Sequence, residues 1–130
     1  MAQDTFTAVE AQGSVAEAAD RLAAAVEAAG AKLIARVNHA GAAASVDMDL
    51  NDAELLIFGN PRLGTPAMQT DLRAGLMLPL RVLVYDAGGQ TRFLYQDPAA
   101  MLAGLSIPAD AEVVQKITGA LARVTGVAAE

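Results

Sequence analysis

An apolar run that ends abruptly at a turn constrains this chain more than any other stretch. Residues 55–68 are LLIFGNPRLGTPAM. Four consecutive apolar residues, Leu55 to Phe58, are typical of a strand buried on both faces. The sequence Gly59-Asn60-Pro61 ends the strand, because a residue before proline avoids helical backbone and proline cannot donate to a ladder.

The same stretch predicts a helix that begins at its second proline. Thr65 is a favoured N-cap residue, and Pro66 suits the first helical position, where a missing N–H costs least. Free N–H groups at a helix N-terminus attract anions, and Arg62 lies in the same turn. Neither GxGxxG nor GxxxxGK[ST] is present, so a helix start that binds nothing is the alternative interpretation.

Composition excludes several classes of function. The chain has 130 residues and a net charge of −6, which argues against binding nucleic acid through its phosphates. It has no cysteine and one histidine, so we expect no disulfide, no metal site and no cofactor. There is no run of 18 apolar residues, so we expect no membrane span. A cytoplasmic location is the default, and a periplasmic one applies if a signal peptide was trimmed from the N-terminus.

The remaining pattern predicts a single α+β domain over residues 1–130, with an antiparallel or mixed sheet and helices packed on one face. Apolar spacing and turn signals give the individual elements. They predict a strand at 6–9, a helix opened by a Ser14/Glu17 capping box, an alternating strand at 32–38, a hairpin of strands 81–85 and 91–95, a short helix after Asp97-Pro98 and a final helix from about Asp110.

The hairpin strands carry apolar residues on both faces. Val82 and Val84 alternate with Leu83 and Tyr85 along the first of them. Helices can cover one face of the sheet, but a chain this short has few elements left for the other. We therefore expect a homodimer.

His39 is the only histidine and the main candidate for chemistry. It ends the predicted strand 32–38, and it would fall on the buried face if that strand ran one residue further. A neutral imidazole there could accept a proton or orient a ligand. The alternative is a partly buried histidine bonded to a backbone carbonyl.

Three segments resemble the domain of unknown function 302 family. They are RVNHAGAAAS at 36–45, FGNPRLGTPAM at 58–68 and GLMLPLRVLVY at 75–85. The resemblance extends from about Phe6 to Leu102. It implies a small α+β domain that commonly pairs into homodimers, with histidine at the position of His39, and it implies no established reaction.

Together these observations predict a binding module without turnover. The expected ligand is small and polar or anionic, and it lies near His39 and the turn at 59–65. The predicted contacts are His39, Asn60, Arg62, Gly64, Thr65 and Tyr85. One alternative is an enzyme that uses His39 as a general base, with backbone N–H groups after Gly64 stabilising negative charge. The other is a purely structural or partner-binding homodimer, favoured if the region around Gly59 is solid rather than concave.

Overall fold

The chain folds as a five-stranded antiparallel sheet with helices, which confirms the predicted α+β class. The computed structural model describes residues 5–130. The strands occur in the spatial order β1-β5-β4-β3-β2. The elements are β1 Phe6–Glu10, α1 Val15–Ala28, β2 Lys32–Asn38, α2 His39–Ala44, β3 Ala53–Gly59, α3 Pro61–Thr70, a 3-10 helix Leu72–Leu76, β4 Leu80–Asp86, β5 Thr91–Gln96, α4 Pro98–Met101 and α5 Glu112–Ala128.

Helices α1 and α5 pack together over one face of the sheet and form the core. The capping box that opens α1 is present, with the Glu17 backbone N–H donating to the Ser14 hydroxyl and the Glu17 carboxylate accepting from the Ser14 N–H. The core contains Leu22, Val26, Leu56, Val82, Val84, Phe93, Ile117 and Leu121, all almost completely buried. Aliphatic side chains together with Phe93 therefore hold the helix layer on the sheet.

The opposite face of the sheet is not covered by any of these helices. Cross-strand pairing places Ala8, Leu94, Leu83, Leu55 and Val37 in one row that crosses all five strands. We call this surface the open face. Leu55 and Leu83 are only half-buried, and Phe6, on the same face of β1, is 53% exposed. The prediction that β3 is buried on both faces is therefore wrong within one chain.

The predicted start of the third helix is also wrong. Helix α3 begins at Pro61 with Asn60 as its N-cap, and Pro66 lies inside it. The segment contains two cap-then-proline signals, Asn60-Pro61 and Thr65-Pro66. The first one takes effect because the extended backbone of Asn60 lets its side chain accept from the Arg62 N–H at 3.0 Å. Thr65 is an exposed residue within the helix.

A β-bulge disrupts the predicted alternation of β2. The register shifts between Leu33 and Ala35, so that Leu33 packs on the core while Val37 pairs with Leu55 on the open face. The bulge also turns Arg36 toward the helix layer, where it bridges Glu54 at 2.6 Å and Asp20 at 2.7 Å. His39 follows the strand as the exposed first residue of α2, so it does not lie on a buried face.

Asp71 connects α3 to the loop before α5. Its carboxylate accepts from the Arg73 side chain at 2.8 Å, from the Ser106 N–H at 2.9 Å and from the Arg73 N–H at 3.0 Å. These bonds, the Arg73 side chain first, hold the pKa of Asp71 below its ordinary value.

Asp71 should therefore contribute to the loss of stability in acid. Because its pKa is depressed in the folded state, its contribution is present above about pH 4 and is lost as the pH falls further. We expect Asp71→Asn to reduce the drop in unfolding free energy between pH 7 and pH 3, measured by urea denaturation. The control is Asp49→Asn, which alters an exposed carboxylate with no hydrogen bond among residues 5–130. Equal drops in the wild type and Asp71→Asn would contradict this assignment.

Candidate functional site

A cavity of about 330 Å³ lies where α3 passes the ends of β2, β3 and β4. Its wall is almost entirely apolar. The side chains that form most of it are Ile34, Leu63, Met68, Leu78, Leu80 and Ile117. Ile34 is 56% exposed, so the cavity opens to solvent on the β2 side. Its volume is within the range of small-molecule sites.

Glycines keep this space empty. A Cβ on Gly64 would lie 3.4 Å from Leu78 Cδ1, and one on Gly59 would lie 3.5 Å from Pro79 Cβ. Both distances are ordinary contacts, so alanine fits, but any longer side chain at Gly64 would extend into the cavity. The glycines of the GNPRLG segment thus provide space for a ligand, in addition to ending the strand.

Only two polar side chains line the cavity among the described residues. They are Lys32, the exposed first residue of β2, and Asn60, the N-cap of α3. The Asn60 carboxamide oxygen already accepts from the Arg62 N–H. Its amide nitrogen and the Lys32 ammonium remain as donors, and neither has an acceptor within residues 5–130.

The N–H groups at the start of α3 are already used. Arg62 donates to the Asn60 side chain, and Leu63 and Gly64 donate to the Asn60 carbonyl at 2.8 and 3.0 Å. Pro61 has no N–H to give. The helix start is therefore satisfied by Asn60 alone, so the free N–H groups expected of an anion site are not found at these positions.

The predicted ligand contacts are divided between distant parts of the structure. Asn60 and Gly64 line the cavity, whereas Arg62 lines a separate hollow between α3 and α5, beside Lys116. Asn38, next to His39, pairs with Glu54, while Lys32 pairs with Gly59 at the other end of the same strands. At the usual rise per residue, these ends are roughly 17 Å apart.

Tyr85 lies at the end of the sheet that is nearer to His39. It pairs with Ala53 and Arg92, at the start of β3 rather than at its end by the cavity. Within one chain, the structure thus does not bring His39 or Tyr85 to the turn at 59–65. The His39 imidazole makes no hydrogen bond to any residue in the range 5–130.

The apolar face of α3 that lines the cavity is not predicted from the sequence, because this helix begins at Pro61 rather than at Pro66. With the helix starting at Pro61, Leu63 and Ala67 are one turn apart, as are Gly64 and Met68, which gives an inward face of apolar and small residues. The spacing was present, but a helix starting at Pro66 hides it. Lys32 and Ile117 are brought to the cavity by the tertiary fold.

A family model described as "Domain of unknown function DUF302" matches residues 7–124. The chain belongs to the DUF302 family. A crystal structure of an uncharacterized conserved DUF302 protein from Bacillus stearothermophilus superposes with a TM-score of 0.88, covering 97% of this chain and 98% of that one. At 19% identity, this similarity concerns the DUF302 fold alone.

Curated relatives of this DUF302 chain are considerably longer proteins. It is 37% identical over 114 residues to "Fluoride-specific ion channel FluC 1" of Brucella suis biovar 1, covering 85% of this chain and 45% of that protein. It is equally similar to "Fluoride-specific ion channel FluC 2" of Brucella melitensis biotype 1, covering 42% of that protein. The chain therefore spans less than half the length of these relatives. None of the helices in residues 5–130 has the length and hydropathy needed to cross a bilayer.

Proposed function

We propose that this DUF302 domain is a binding module for a small, largely apolar molecule, held in the cavity beneath α3 without turnover. The observation that carries the proposal is the cavity of about 330 Å³, whose apolar wall is built from residues of α3, α5 and three strands. Since one water-sized group occupies about 30 Å³, the space suits a ligand of roughly ten non-hydrogen atoms. The region around Gly59 is concave, which favours binding over a purely structural role.

The chemistry of the wall changes the class of ligand expected from the sequence. Moving apolar groups from water to such a wall lowers the free energy by about 25 cal/mol per Å² of apolar surface buried. A wholly polar ligand would lose its hydration without finding enough partners, since Lys32 and Asn60 are the only polar side chains of residues 5–130 that line the cavity. Arg36 and Arg73, two other cations of the middle of the chain, are paired with carboxylates.

The test uses 1-octanol as the probe, because it is apolar and of suitable size. We expect saturation transfer from protein methyl groups to the octanol chain in NMR spectra. His39→Ala should leave the transfer unchanged, because His39 lies at the far end of β2. No transfer to octanol in the wild type would contradict the proposal, and transfer abolished by His39→Ala would place the ligand elsewhere.

The assembly we propose is a homodimer formed through the open face. Its apolar row is bordered by Glu10, Arg81 and Arg92, the apolar centre and polar rim that are usual in protein interfaces. A second copy that docks on the open face would remove this apolar row from water.

Gly64→Ala should stabilise the fold. Gly64 lies within α3, where alanine is favoured over glycine by up to about 1 kcal/mol, and the added Cβ makes only an ordinary contact with Leu78. We expect the unfolding free energy, measured by urea denaturation, to rise by about 0.5–1 kcal/mol. Gly119→Ala in α5, where nothing lies within 4 Å of the new methyl group, is the matched control and should give a similar gain. A loss of stability confined to Gly64→Ala would show that the cavity wall does not tolerate the methyl group.

A further inference from the structure

Both polar side chains at the cavity, Lys32 and Asn60, carry N–H donors that have no acceptor among residues 5–130. Lys32 makes no ion pair among residues 5–130, although Arg36 on the same strand is held by Asp20 and Glu54. Asn60 uses its carboxamide oxygen to cap α3, which leaves its amide N–H groups as the part available to a ligand. Among residues 5–130, the edge of this apolar cavity therefore offers the Lys32 ammonium and the Asn60 amide N–H groups as unused donors.

Opposite charge is scarce around this edge. No carboxylate of residues 5–130 lines the cavity, although the chain as a whole has a net charge of −6. An unpaired ammonium beside an apolar wall favours an anionic group, and it does so more strongly when a ligand excludes water from one side of the pair.

We infer that the ligand is an amphipathic monocarboxylate, with its apolar chain in the cavity and its carboxylate beside Lys32 and Asn60. This inference rests on the proposed function and specifies the chemical class of its ligand. A neutral apolar molecule would fill the cavity equally well but would leave Lys32 and Asn60 without an acceptor. A dianion would bring a second charge, for which the described part of the chain places no second cation in the cavity lining.

Comparing two probes of equal chain length tests this class. Octanoate and 1-octanol are titrated at pH 7, where the carboxylic acid is ionised, and their affinities are measured by calorimetry. We expect wild-type protein to bind octanoate about tenfold more tightly than octanol. Lys32→Met should lower octanoate affinity about tenfold more than octanol affinity and so abolish the preference, whereas Lys32→Arg should retain it. Lys32 is exposed, so neither variant should disturb folding.

Asn60→Asp provides a second, independent variant. Aspartate is as good an N-cap as asparagine, so α3 should still begin at Pro61, but the donor beside the carboxylate becomes a negative charge. Octanoate affinity should fall about tenfold more than octanol affinity, because only octanoate carries a charge that the new carboxylate repels. Equal binding of both probes, or a preference insensitive to Lys32→Met and Asn60→Asp, would overturn the inference and leave the apolar site intact. Failure of both probes to bind would instead refute the proposed function itself.

Discussion

Leu83→Lys should convert the proposed dimer into a monomer. Leu83 lies at the centre of the apolar row on the open face, between Leu55 and Leu94. In a two-fold interface each substitution occurs twice, so two ammonium groups would be placed in the apolar centre without a partner. Burying unpaired charge is costly enough that we expect dimer affinity to fall more than about a hundredfold.

Sedimentation equilibrium measures this effect directly. In a monomer the lysine can extend into water, because Leu83 is only half-buried in the single chain, so circular dichroism should show an intact fold. Gln115→Lys is the matched control, since it adds the same charge at an exposed position on α5. A wild-type monomer, or a Leu83→Lys dimer as tight as the wild type, would refute the open face as the interface.

Gly64→Leu should strongly weaken ligand binding in the cavity. Four side-chain carbons, at about 30 Å³ each, would fill roughly a third of the space, and they would enter from the helix that forms the cavity wall. We expect octanol affinity to fall at least tenfold, whereas leucine in the helix should keep the protein folded.

The matched control for this substitution is Gly119→Leu. Gly119 is an exposed glycine of α5 with nothing within 4 Å of a Cβ. The Gly119→Leu variant tests whether replacing a helical glycine by leucine affects octanol binding through a general change in stability. Octanol affinity should match that of the wild type in this control. Equal binding by the Gly64→Leu variant would show that octanol does not occupy the cavity beneath α3.

Local patterns in the sequence were sufficient to predict most of the elements of the fold. The capping box at Ser14 and Glu17 sets the start of α1 through hydrogen bonds between near neighbours. The hairpin is equally local, with the Gly89 N–H donating to the Asp86 carboxylate in the turn. Such signals depend only on residues a few positions apart, so one sequence contains them in full.

The candidate site was harder to predict, because it depends on choices that local signals do not settle. Asn60 and Thr65 are both good caps before a proline, and the sequence alone does not show that α3 begins at the first of them and packs against α5. The bulge after Leu33 is likewise a property of the strand pair rather than of β2 alone. Lys32 and Ile117 are 85 positions apart in the chain, and no spacing rule links them.

The position of His39 also depends on the tertiary fold. A single histidine near a strand end attracts a functional interpretation, and family resemblance strengthened it in this chain. The register of β2 and β3 separates it from the cavity by most of the strand length. A ligand contact at His39 stays a prediction, and it would lie outside the cavity beneath α3.

Methyl NMR of protein labelled at the methionine ε-carbon tests the central claim most directly. Met68 lines the cavity. Met48 is 65% exposed in the loop between α2 and the start of β3, whereas Gly59 ends that strand. Titration with 1-octanol should shift the Met68 methyl resonance in a saturable way and leave the Met48 resonance unchanged. A Met68 resonance that does not respond, or equal shifts at both methionines, would contradict a ligand site beneath α3.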